Sequence, residues 1–381
     1  MKKFHIALIA LFLTAIILPS VLVFTGEDKT FSDNENRMLQ TEPKLTLSSV
    51  LDGSFQSKIT DYISDQFPAR DMWTALGTDA KKLLGFKDIG GAYLGEDGYY
   101  MEKITPDKID EKNLRRNLML VSDFVSANKD IPTTMLLVPA TGTVMSDKLP
   151  EHARMYDAQK LYETVKAALP DASFPDLYAA LTEAKASQQV YYRTDHHWTW
   201  YGAHTAYKTL LPDGKYDASP ELFAGDFLGT TYSKTLDAAA RPDEVYISKV
   251  AGSVTVTADG KDIPFYNMTA AGEKDKYKVF FGGNYGETTI SGGCDNGKTL
   301  LVIKDSFANS LVPFLTADYE NIIMLDLRYY MGSTQQLIKE KNELYNQYQT
   351  VREEVQRLDT IRHNLEQHLG RKIEHKQEQE R

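Results

Sequence analysis

The side chains best suited to chemistry are concentrated in residues 190–203, where Asp195, His196 and His197 stand side by side among several aromatic residues. Histidine has the side chain whose unperturbed pKa lies nearest neutrality, and a nearby carboxylate fixes its tautomer and stabilises its charged form. On an extended segment, residues two apart point to the same side. The spacing therefore predicts that Asp195 and His197 meet as an acid-base pair while His196 faces away.

A candidate nucleophile, Ser306, lies far downstream. The apolar, β-branched run 299–303 ends just before Asp305 and Ser306, which predicts a buried strand with the serine at its carboxyl end. Ligands of open α/β sheets bind beyond such strand ends, and a second predicted strand, 321–327, places Arg328 toward the same edge. A helix N-cap is the ordinary alternative for Ser306, since serine is common at that position.

A metal site is the alternative chemistry for the histidine-rich stretch. Asp195, His196, His197 and His204 are all plausible zinc or iron ligands. Adjacent histidines seldom bind one metal together in a strand, and no glutamate stands at the H-E-x-x-H spacing of helical zinc sites. His204 is interpreted as a helix-surface or supporting histidine. We therefore predict neither a metal nor another cofactor.

These motifs together resemble the DHHW protein family, a branch of the SGNH-hydrolase-like proteins that includes the alginate O-acetylation proteins. The resemblance extends from the N-terminus to about Gly332 and stops there. It is carried by the tetrapeptide Asp195–Trp198 with Thr199, Tyr201 and Gly202, and by residues 31–37, 62–70, 304–307 and 326–330.

The resemblance implies a catalytic triad. Ser306 would be the nucleophile, His197 the general base that takes its proton, and Asp195 the carboxylate that orients the imidazole. The Ser306 backbone N–H is a natural donor to the oxyanion, and the acetyltransferase branch implies Arg328 as the second donor. Asn309 is a weaker candidate for that role.

The remaining motif residues are predicted to assist rather than to react. His196 is expected to have a supporting role, and Trp198 and Tyr201 to pack around the motif. The resemblance further implies an O-acetyltransferase that moves acetyl groups onto a cell-envelope or exported polysaccharide, with a membrane-bound O-acyltransferase as acetyl supplier. A carbohydrate acetylesterase with the same triad, and a non-catalytic glycan-binding module, remain open as alternatives.

Composition limits the protein class. The chain of 381 residues is 42% hydrophobic and 25% charged, which is ordinary globular usage. Its net charge of −10, with no basic stripe, argues against a nucleic-acid partner, because phosphate binding depends on clustered Lys and Arg. The single cysteine, Cys294, excludes an internal disulfide framework and a cysteine-rich zinc site.

The first residues predict a membrane anchor. Lys2 and Lys3 precede an apolar run from Ile6 to Phe24, close to the ~20 residues that span a bilayer. We interpret residues 1–24 as an uncleaved signal anchor with an extracytoplasmic body, hence a single-pass protein of the cell membrane. A cleaved signal peptide is the alternative.

The order of the predicted elements indicates an α/β layered domain over residues 45–332, and the resemblance implies an SGNH-like three-layer sandwich with a mostly parallel sheet. Helical spacing over 45–69 predicts a helix, and the apolar run 131–139 predicts a buried strand. Residues 25–44 are interpreted as a polar, extended stalk.

Two further regions have a character of their own. Residues 212–298 carry alternating stretches such as 253–257 and 277–281, which predict a β-rich insertion that walls one side of the site. Residues 333–381 have apolar positions that alternate by four and three, which predicts a coiled-coil-like helical tail. Two interpretations of the tail remain open, a helix for oligomerisation or partner binding and the product of a gene fusion or frameshift.

Overall fold

The structure is a computed structural model that describes residues 2–35, 37–250 and 253–332. The coiled-coil-like tail predicted for 333–381 lies outside these residues. The helices are α1 (Lys2–Thr25), α2 (Leu47–Leu51), α3 (Ser54–Asp65), α4 (Arg70–Leu83), α5 (Glu111–Ala127), α6 (Thr141–Val144), α7 (Ala158–Ala168), α8 (Leu177–Ala184), α9 (Trp200–Leu210), α10 (Thr230–Ser233) and α11 (Ala308–Leu315). Short 3-10 helices lie at Glu96–Gly98, Pro106–Lys108, Ser146–Lys148, Met268–Gly272 and Lys276–Val279.

The strands form small sheets around one larger sheet. They are β1 (Phe31–Ser32), β2 (Arg37–Met38), β3 (Asp88–Ile89), β4 (Ala92–Leu94), β5 (Tyr100–Glu102), β6 (Glu221–Phe227), β7 (Asp243–Ile247), β8 (Thr255–Ala258), β9 (Lys261–Asp262), β10 (Glu287–Ser291), β11 (Thr299–Ile303) and β12 (Asn321–Leu325). The larger sheet has the strand order β11, β12, β10, β8, β9. The smaller ones pair β1 with β2, β3 with β4 and β5, and β6 with β7.

The direction of the larger sheet differs from the prediction. β11 and β12 run parallel, with Ile303 opposite Leu325, and α11 connects them. β10 pairs antiparallel with both β12 and β8, and β9 pairs antiparallel with β8. A mostly parallel sheet is therefore not confirmed, because residues 255–291 supply antiparallel strands to the same sheet that carries β11.

The run 131–139 does not form a regular strand. Thr134 makes an isolated parallel bridge to Ser173, and the Met135 N–H donates to the Ser173 carbonyl at 2.9 Å. Pro170 and Pro175 flank that partner segment, and proline has no N–H with which to extend a ladder. The apolar side chains of the run still pack against the main core.

The helix predicted over 45–69 is divided into α2 and α3. Gly53, between them, has φ of 78°, a left-handed conformation that other residues rarely adopt. Thr46 caps the first helix by accepting the Ser49 N–H at 3.2 Å. The segment predicted as one amphipathic helix is therefore two shorter helices with a turn between them.

The segment predicted as an extended stalk folds back as the hairpin β1–β2 and lies on α3. Arg37 Nη1 donates to Asp65 Oδ2 at 3.0 Å, and the Gln40 N–H donates to the same oxygen at 2.8 Å. The Tyr62 hydroxyl donates to the carbonyl of Val23, in the last turn of α1, at 3.1 Å. The end of α1 is therefore joined directly to the folded body.

Helix α1 is long and apolar enough to cross a membrane, with a mean hydropathy of 2.8 over the most apolar 18 residues of the span Lys3–Thr25. A signal sequence has a similar length and composition, so a membrane anchor and a signal peptide both fit this helix. The site lies elsewhere, within a core that is dominated by large aromatic side chains. Its largest fully buried members include Trp198, Tyr191, Tyr192, Tyr207, Phe227 and Phe314.

Candidate active site

Residues 190–199 form a tight loop that presents the motif. Tyr191 and Trp198 make an antiparallel bridge, and the Thr199 N–H donates to the Val190 carbonyl at 3.0 Å. Between these two contacts the chain turns, so the prediction of an extended conformation for Asp195 and His197 is wrong. The two residues meet because of the turn, in which the His197 N–H donates to Asp195 Oδ1 at 2.9 Å.

The buried carboxylate of Asp243 holds this loop through hydrogen bonds. Its Oδ1 accepts the Arg193 N–H at 3.0 Å and the Gln189 side-chain amide at 2.8 Å. Its Oδ2 accepts the N–H and the hydroxyl of Thr194 at 2.8 and 2.7 Å. Burial raises the pKa of the Asp243 carboxyl, although these hydrogen bonds oppose the change. Asp243 could not be predicted from the sequence, since an isolated aspartate in a strand carries no signal of its own.

The three residues implied as a triad lie at hydrogen-bonding distances. His197 Nδ1 is 2.6 Å from Asp195 Oδ1, and His197 Nε2 is 2.8 Å from Ser306 Oγ. Asp195 and His197 are buried. Burial on its own raises the pKa of the Asp195 carboxyl, but the neighbouring imidazoles of His197 and His196 and the hydrogen bonds from His197 and Thr230 more than offset it. The net pKa is well below its ordinary value, so Asp195 is ionised.

Thr230, the first residue of α10, completes the surroundings of Asp195. Its N–H and its hydroxyl each donate to Asp195 Oδ2 at 2.8 Å. Gly229, just before it, lies against the same side chain. A Cβ built on Gly229 would stand 2.3 Å from Asp195 Cβ, so only glycine allows this approach. The sequence analysis missed both residues.

Aromatic rings surround His197. The Tyr277 ring stacks on it with a centroid distance of 3.9 Å and an interplanar angle of 10°, and the Phe307 ring lies 4.9 Å away. Burial raises the pKa of the Tyr277 hydroxyl, which lies 3.1 Å from the Ser306 carbonyl and 2.9 Å from Ser310 Oγ. Trp198 Nε1 donates to that same Ser310 oxygen at 2.7 Å, so these rings fix the imidazole and the serine segment together.

Ser306 lies between β11 and α11, as expected for a residue at the carboxyl end of a strand. The helix cap is Phe307, whose N–H is held by Asp305 Oδ1 at 3.0 Å. The Ser306 carbonyl accepts the Asn309 N–H at 3.2 Å. Ser306 is therefore not the N-cap of α11, and its hydroxyl is bonded to His197 instead.

Arg328 follows β12 just as Ser306 follows β11, so both leave the same edge of the parallel pair. The Arg328 Nε and Nη2 atoms bind the buried Asp326 at 2.8 and 2.6 Å, and the arginine side chain is 53% exposed. Asp326 also lies 3.5 Å from the buried ammonium of Lys304. Asp326 thus holds the guanidinium through Nε and Nη2, and Nη1 takes no part in this ion pair.

Asn309 is buried, and its side chain is engaged within a polar cluster. Its Oδ1 accepts from Lys304 Nζ at 2.8 Å, and its Nδ2 donates to Asn284 Oδ1 at 3.1 Å. The Lys304 ammonium also donates to Asn284 Oδ1 at 3.0 Å. Burial lowers the pKa of Lys304, although Asp326 opposes this. These contacts tie the Asn309 amide to the lysine.

The other motif residues occupy different positions. The prediction that His196 faces away is wrong, because its ring centroid lies 3.9 Å from that of His197. His196 Nδ1 lies 2.7 Å from Thr230 Oγ1. Tyr201 packs on Trp200 and Tyr246 with ring centroids 5.4 and 6.2 Å away. His204 stacks on Trp200 at 5.0 Å and burial lowers its pKa. Of the four candidate metal ligands, His204 is thus stacked on a tryptophan of its own helix.

Candidate metal-ligand atoms of Asp195, His196 and His197 all lie within 4.8 Å of one another. The contact between Asp195 Oδ1 and His197 Nδ1 is 2.6 Å, whereas zinc ligands at ~2.0 to 2.2 Å from a tetrahedral ion stand more than about 3 Å apart. Both Asp195 oxygens already accept hydrogen bonds from Thr230 or His197. The donor set fits a hydrogen-bonded acid-base pair better than a metal centre.

Comparison with known proteins shows which families this chain resembles. Residues 174–325 match the family model described as DHHW protein, and residues 93–221 match the one described as the SGNH hydrolase-like domain of the acetyltransferase AlgX. The predicted DHHW family resemblance is confirmed. A DHHW family protein from Eubacterium siraeum has 23% identity and a TM-score of 0.53, covering 66% of this chain and 88% of that one.

A second solved structure with a similar fold is Bacillus cereus PatB1 with a sulfonyl adduct, at 24% identity and a TM-score of 0.55, covering 65% of this chain and 90% of that one. Curated relatives are probable alginate O-acetylases AlgJ. Identity is 26% for Azotobacter vinelandii, covering 40% of this chain and 41% of the relative, and 31% for Pseudomonas fluorescens, covering 43% of each. The matches thus span less than half the length of these relatives.

Proposed function

We propose that this chain is a membrane-anchored, extracytoplasmic O-acetyltransferase that modifies a cell-envelope or exported polysaccharide. The observation that carries the proposal is the 2.8 Å contact between His197 Nε2 and Ser306 Oγ, with Nδ1 of the same ring held by Asp195. The curated relatives, named as probable alginate O-acetylases, support acetyl transfer and a polysaccharide acceptor.

In the first step Ser306 Oγ attacks the carbonyl carbon of an acetyl donor. His197 Nε2 takes the serine proton as the new oxygen–carbon bond forms, and passes it to the leaving group as the donor bond breaks. The ionised Asp195 stabilises the imidazolium through Nδ1. The product is an acetyl group esterified to Ser306.

The carbonyl oxygen of the donor becomes negative during this step and needs hydrogen-bond donors. The Ser306 N–H is the first, since it lies just before α11, where the helix dipole favours negative charge. Arg328 is the second through Nη1, because its other nitrogens hold Asp326. Asn309 holds Lys304 in this scheme and is the weaker candidate.

In the second step a polysaccharide hydroxyl attacks the acetyl-serine. Its proton goes to His197 Nε2 and then to Ser306 Oγ as the serine ester breaks. The acetyl group would come from a membrane-bound O-acyltransferase partner, and α1 would hold the body at the bilayer where such a partner resides. Water in place of the sugar would make the same site an acetylesterase.

Acetyl release from p-nitrophenyl acetate by the full chain in detergent tests the proposal. We expect a burst of p-nitrophenol with formation of acetyl-Ser306, detected by intact mass, and its loss in Ser306→Ala. Ser187→Ala, at an exposed position, is the matched serine control and should keep the burst. Equal release by the wild-type protein and the Ser306→Ala variant, both folded by circular dichroism, would refute a serine acyl-enzyme.

A further inference from the structure

His196 is the motif residue that this mechanism leaves unused, although it lies beside the reacting imidazole. The centroids of the His196 and His197 rings are 3.9 Å apart, with 36° between their planes. The His196 side chain is 31% exposed, against 7% for His197. A polar ring in this position is accessible to whatever approaches His197.

The hydrogen bonds of Thr230 decide which nitrogen of His196 carries the proton. Asp195 is ionised and can only accept, so the single hydroxyl proton of Thr230 goes to Asp195 Oδ2 at 2.8 Å. Thr230 Oγ1 can then only accept from His196 Nδ1, 2.7 Å away. His196 Nδ1 is therefore protonated, and Nε2 of the neutral ring has a lone pair.

Burial and the neighbouring His197 lower the pKa of His196, although Asp195 opposes this. The lowered pKa favours the neutral ring, in which Nε2 is an acceptor. Once Ser306 is acetylated, its hydroxyl no longer donates to His197 Nε2. The acetyl-enzyme thus presents two unprotonated Nε2 atoms on adjacent imidazoles.

Two adjacent acceptors match two adjacent hydroxyl groups. Neighbouring carbons of a sugar ring carry hydroxyls whose oxygens stand close together, whereas water offers a single oxygen. We infer that His196 Nε2 accepts a hydrogen bond from the hydroxyl next to the one being acetylated, so the acceptor class is a vicinal diol. This inference rests on the proposed acetyltransferase function and gives it a way to favour sugar over water.

In this arrangement the reacting hydroxyl lies at His197 and its neighbour at His196. The oxygen of the reacting hydroxyl bonds to the acetyl carbon while its proton moves to His197 Nε2. The Ser306 Oγ–carbon bond then breaks and Oγ takes that proton. His196 gains and loses no proton in either step, and it acts by holding the acceptor.

The test compares acetyl transfer with hydrolysis in the full chain in detergent, with p-nitrophenyl acetate as donor. The acceptors are cis-1,2-cyclohexanediol and cyclohexanol, and the readout is the ratio of acetylated alcohol to acetate. His196→Asn keeps a donor at the Nδ1 position and removes the Nε2 acceptor. His196→Gln places an amide oxygen near the Nε2 position.

We expect the wild-type protein to favour the diol over cyclohexanol. His196→Asn should lower the diol ratio about tenfold, the order of one lost hydrogen bond, and His196→Gln should recover most of the loss. The ratio counts only acetyl-enzyme that has formed, so it does not depend on the size of the p-nitrophenol burst. The control is His152→Asn, whose side chain is 89% exposed.

Two results would overturn the inference while leaving acetyl-Ser306 intact. One is an unchanged diol ratio in His196→Asn; the other is turnover of the acetyl-enzyme with no acetylated diol from the wild-type protein. Failure of the proposed function is a different observation, namely a wild-type protein that never forms acetyl-Ser306. The burst and the product ratio therefore separate the two ideas.

Discussion

The hydroxyl and the backbone N–H of Thr230 both lie 2.8 Å from Oδ2 of Asp195. The carboxylate that contacts His197 Nδ1 through one oxygen is thus held through its other oxygen by a residue of α10. A hydrogen bond to a charged group contributes roughly 1.5 to 3 kcal/mol. The side-chain half of this contact can be removed without touching the triad.

We therefore expect Thr230→Val to lower kcat/KM for p-nitrophenyl acetate by roughly 10- to 100-fold, the rate equivalent of that one hydrogen bond. Thr230→Ser keeps the hydroxyl and should stay within about threefold of the wild-type protein. Thermal unfolding of each variant controls for folding. If the valine and serine variants were equally active, Thr230 would have no positioning role.

Gly229 offers a second, purely steric test of the same contact. A Cβ there would lie 2.3 Å from Asp195 Cβ and 2.6 Å from its Oδ2, so Gly229→Ala must displace the carboxylate. We expect esterase activity to fall at least 100-fold, since small misplacements of catalytic groups can cost about that much.

Gly225→Ala is the matched control, because a Cβ at Gly225 would meet nothing within 4 Å. That variant should keep wild-type activity. Activity equally retained in both alanine variants would show that Asp195 tolerates displacement, and would weaken its assignment as the orienting carboxylate.

The contact between α4 and the body predicts a pH-dependent stability. Lys82 Nζ lies 2.6 and 2.7 Å from the two oxygens of the buried Asp237, which also accepts from the Tyr100 hydroxyl. Burial on its own raises the pKa of Asp237, but the hydrogen bonds from Lys82, Ala239 and Tyr100 and the charge of Lys82 lower it below its ordinary value. A carboxyl whose pKa is lowered by folding stabilises the fold above its unfolded pKa, and this is lost as pH falls through the folded pKa.

Lys82→Met should therefore lower the free energy of unfolding by about 1 to 3 kcal/mol at pH 7, less than for a fully buried pair because Lys82 is 31% exposed. The difference from the wild-type protein should shrink below about pH 4. Chemical denaturation at several pH values measures it, with the neighbouring Lys81→Met as control. A difference that does not vary with pH would exclude the ion pair as its source.

Deleting residues 1–26 tests the predicted anchor. The shortened chain loses the bond from the Tyr62 hydroxyl to Val23 but keeps its contact with Asp28 at 2.9 Å, so the body should stay folded. We expect it in the soluble fraction and the full chain in membranes. Persistent partition of the shortened protein into membranes would contradict an anchor at α1.

Rare combinations of residue types suggested Asp195 with His197 and, separately, Ser306, and the family resemblance implied that the three form one site. An aspartate two residues from a histidine, and a serine after an apolar run, leave a signal in the sequence, and the structure brings Asp195, His197 and Ser306 within hydrogen-bonding distance. The reason given for the first pair was wrong, since a turn joins them. The spacing predicted that Asp195 and His197 meet, but it did not predict the backbone conformation that brings them together.

The residues that support them could not be found in this way. Thr230 and Asp243 are common residue types, and their roles arise only when distant segments pack against the motif loop. Tyr277 was assigned to a strand from the alternation over 277–281, but the structure has a 3-10 helix at Lys276–Val279. That turn places the Tyr277 ring on His197.

The directions of the strands in the larger sheet could not be predicted from the sequence either. The parallel pair β11 and β12 follows from a strand, helix, strand order, but nothing local reveals that β8 and β10 join the same sheet in the opposite direction. The lining of the candidate site by residues 227–230 and 275–277 therefore depends on tertiary pairing alone.

The hairpin on α3 limits how far the body of the protein can move from a bilayer that holds α1. Because Val23 and Arg37 bind Tyr62 and Asp65, no free length of chain separates the end of α1 from the body. With α1 in a membrane, Ser306 would stand at a fixed height above the lipid surface. The acetyltransferase proposed above would then act on polysaccharide at one distance from the membrane, whereas a flexible tether would allow a range of distances.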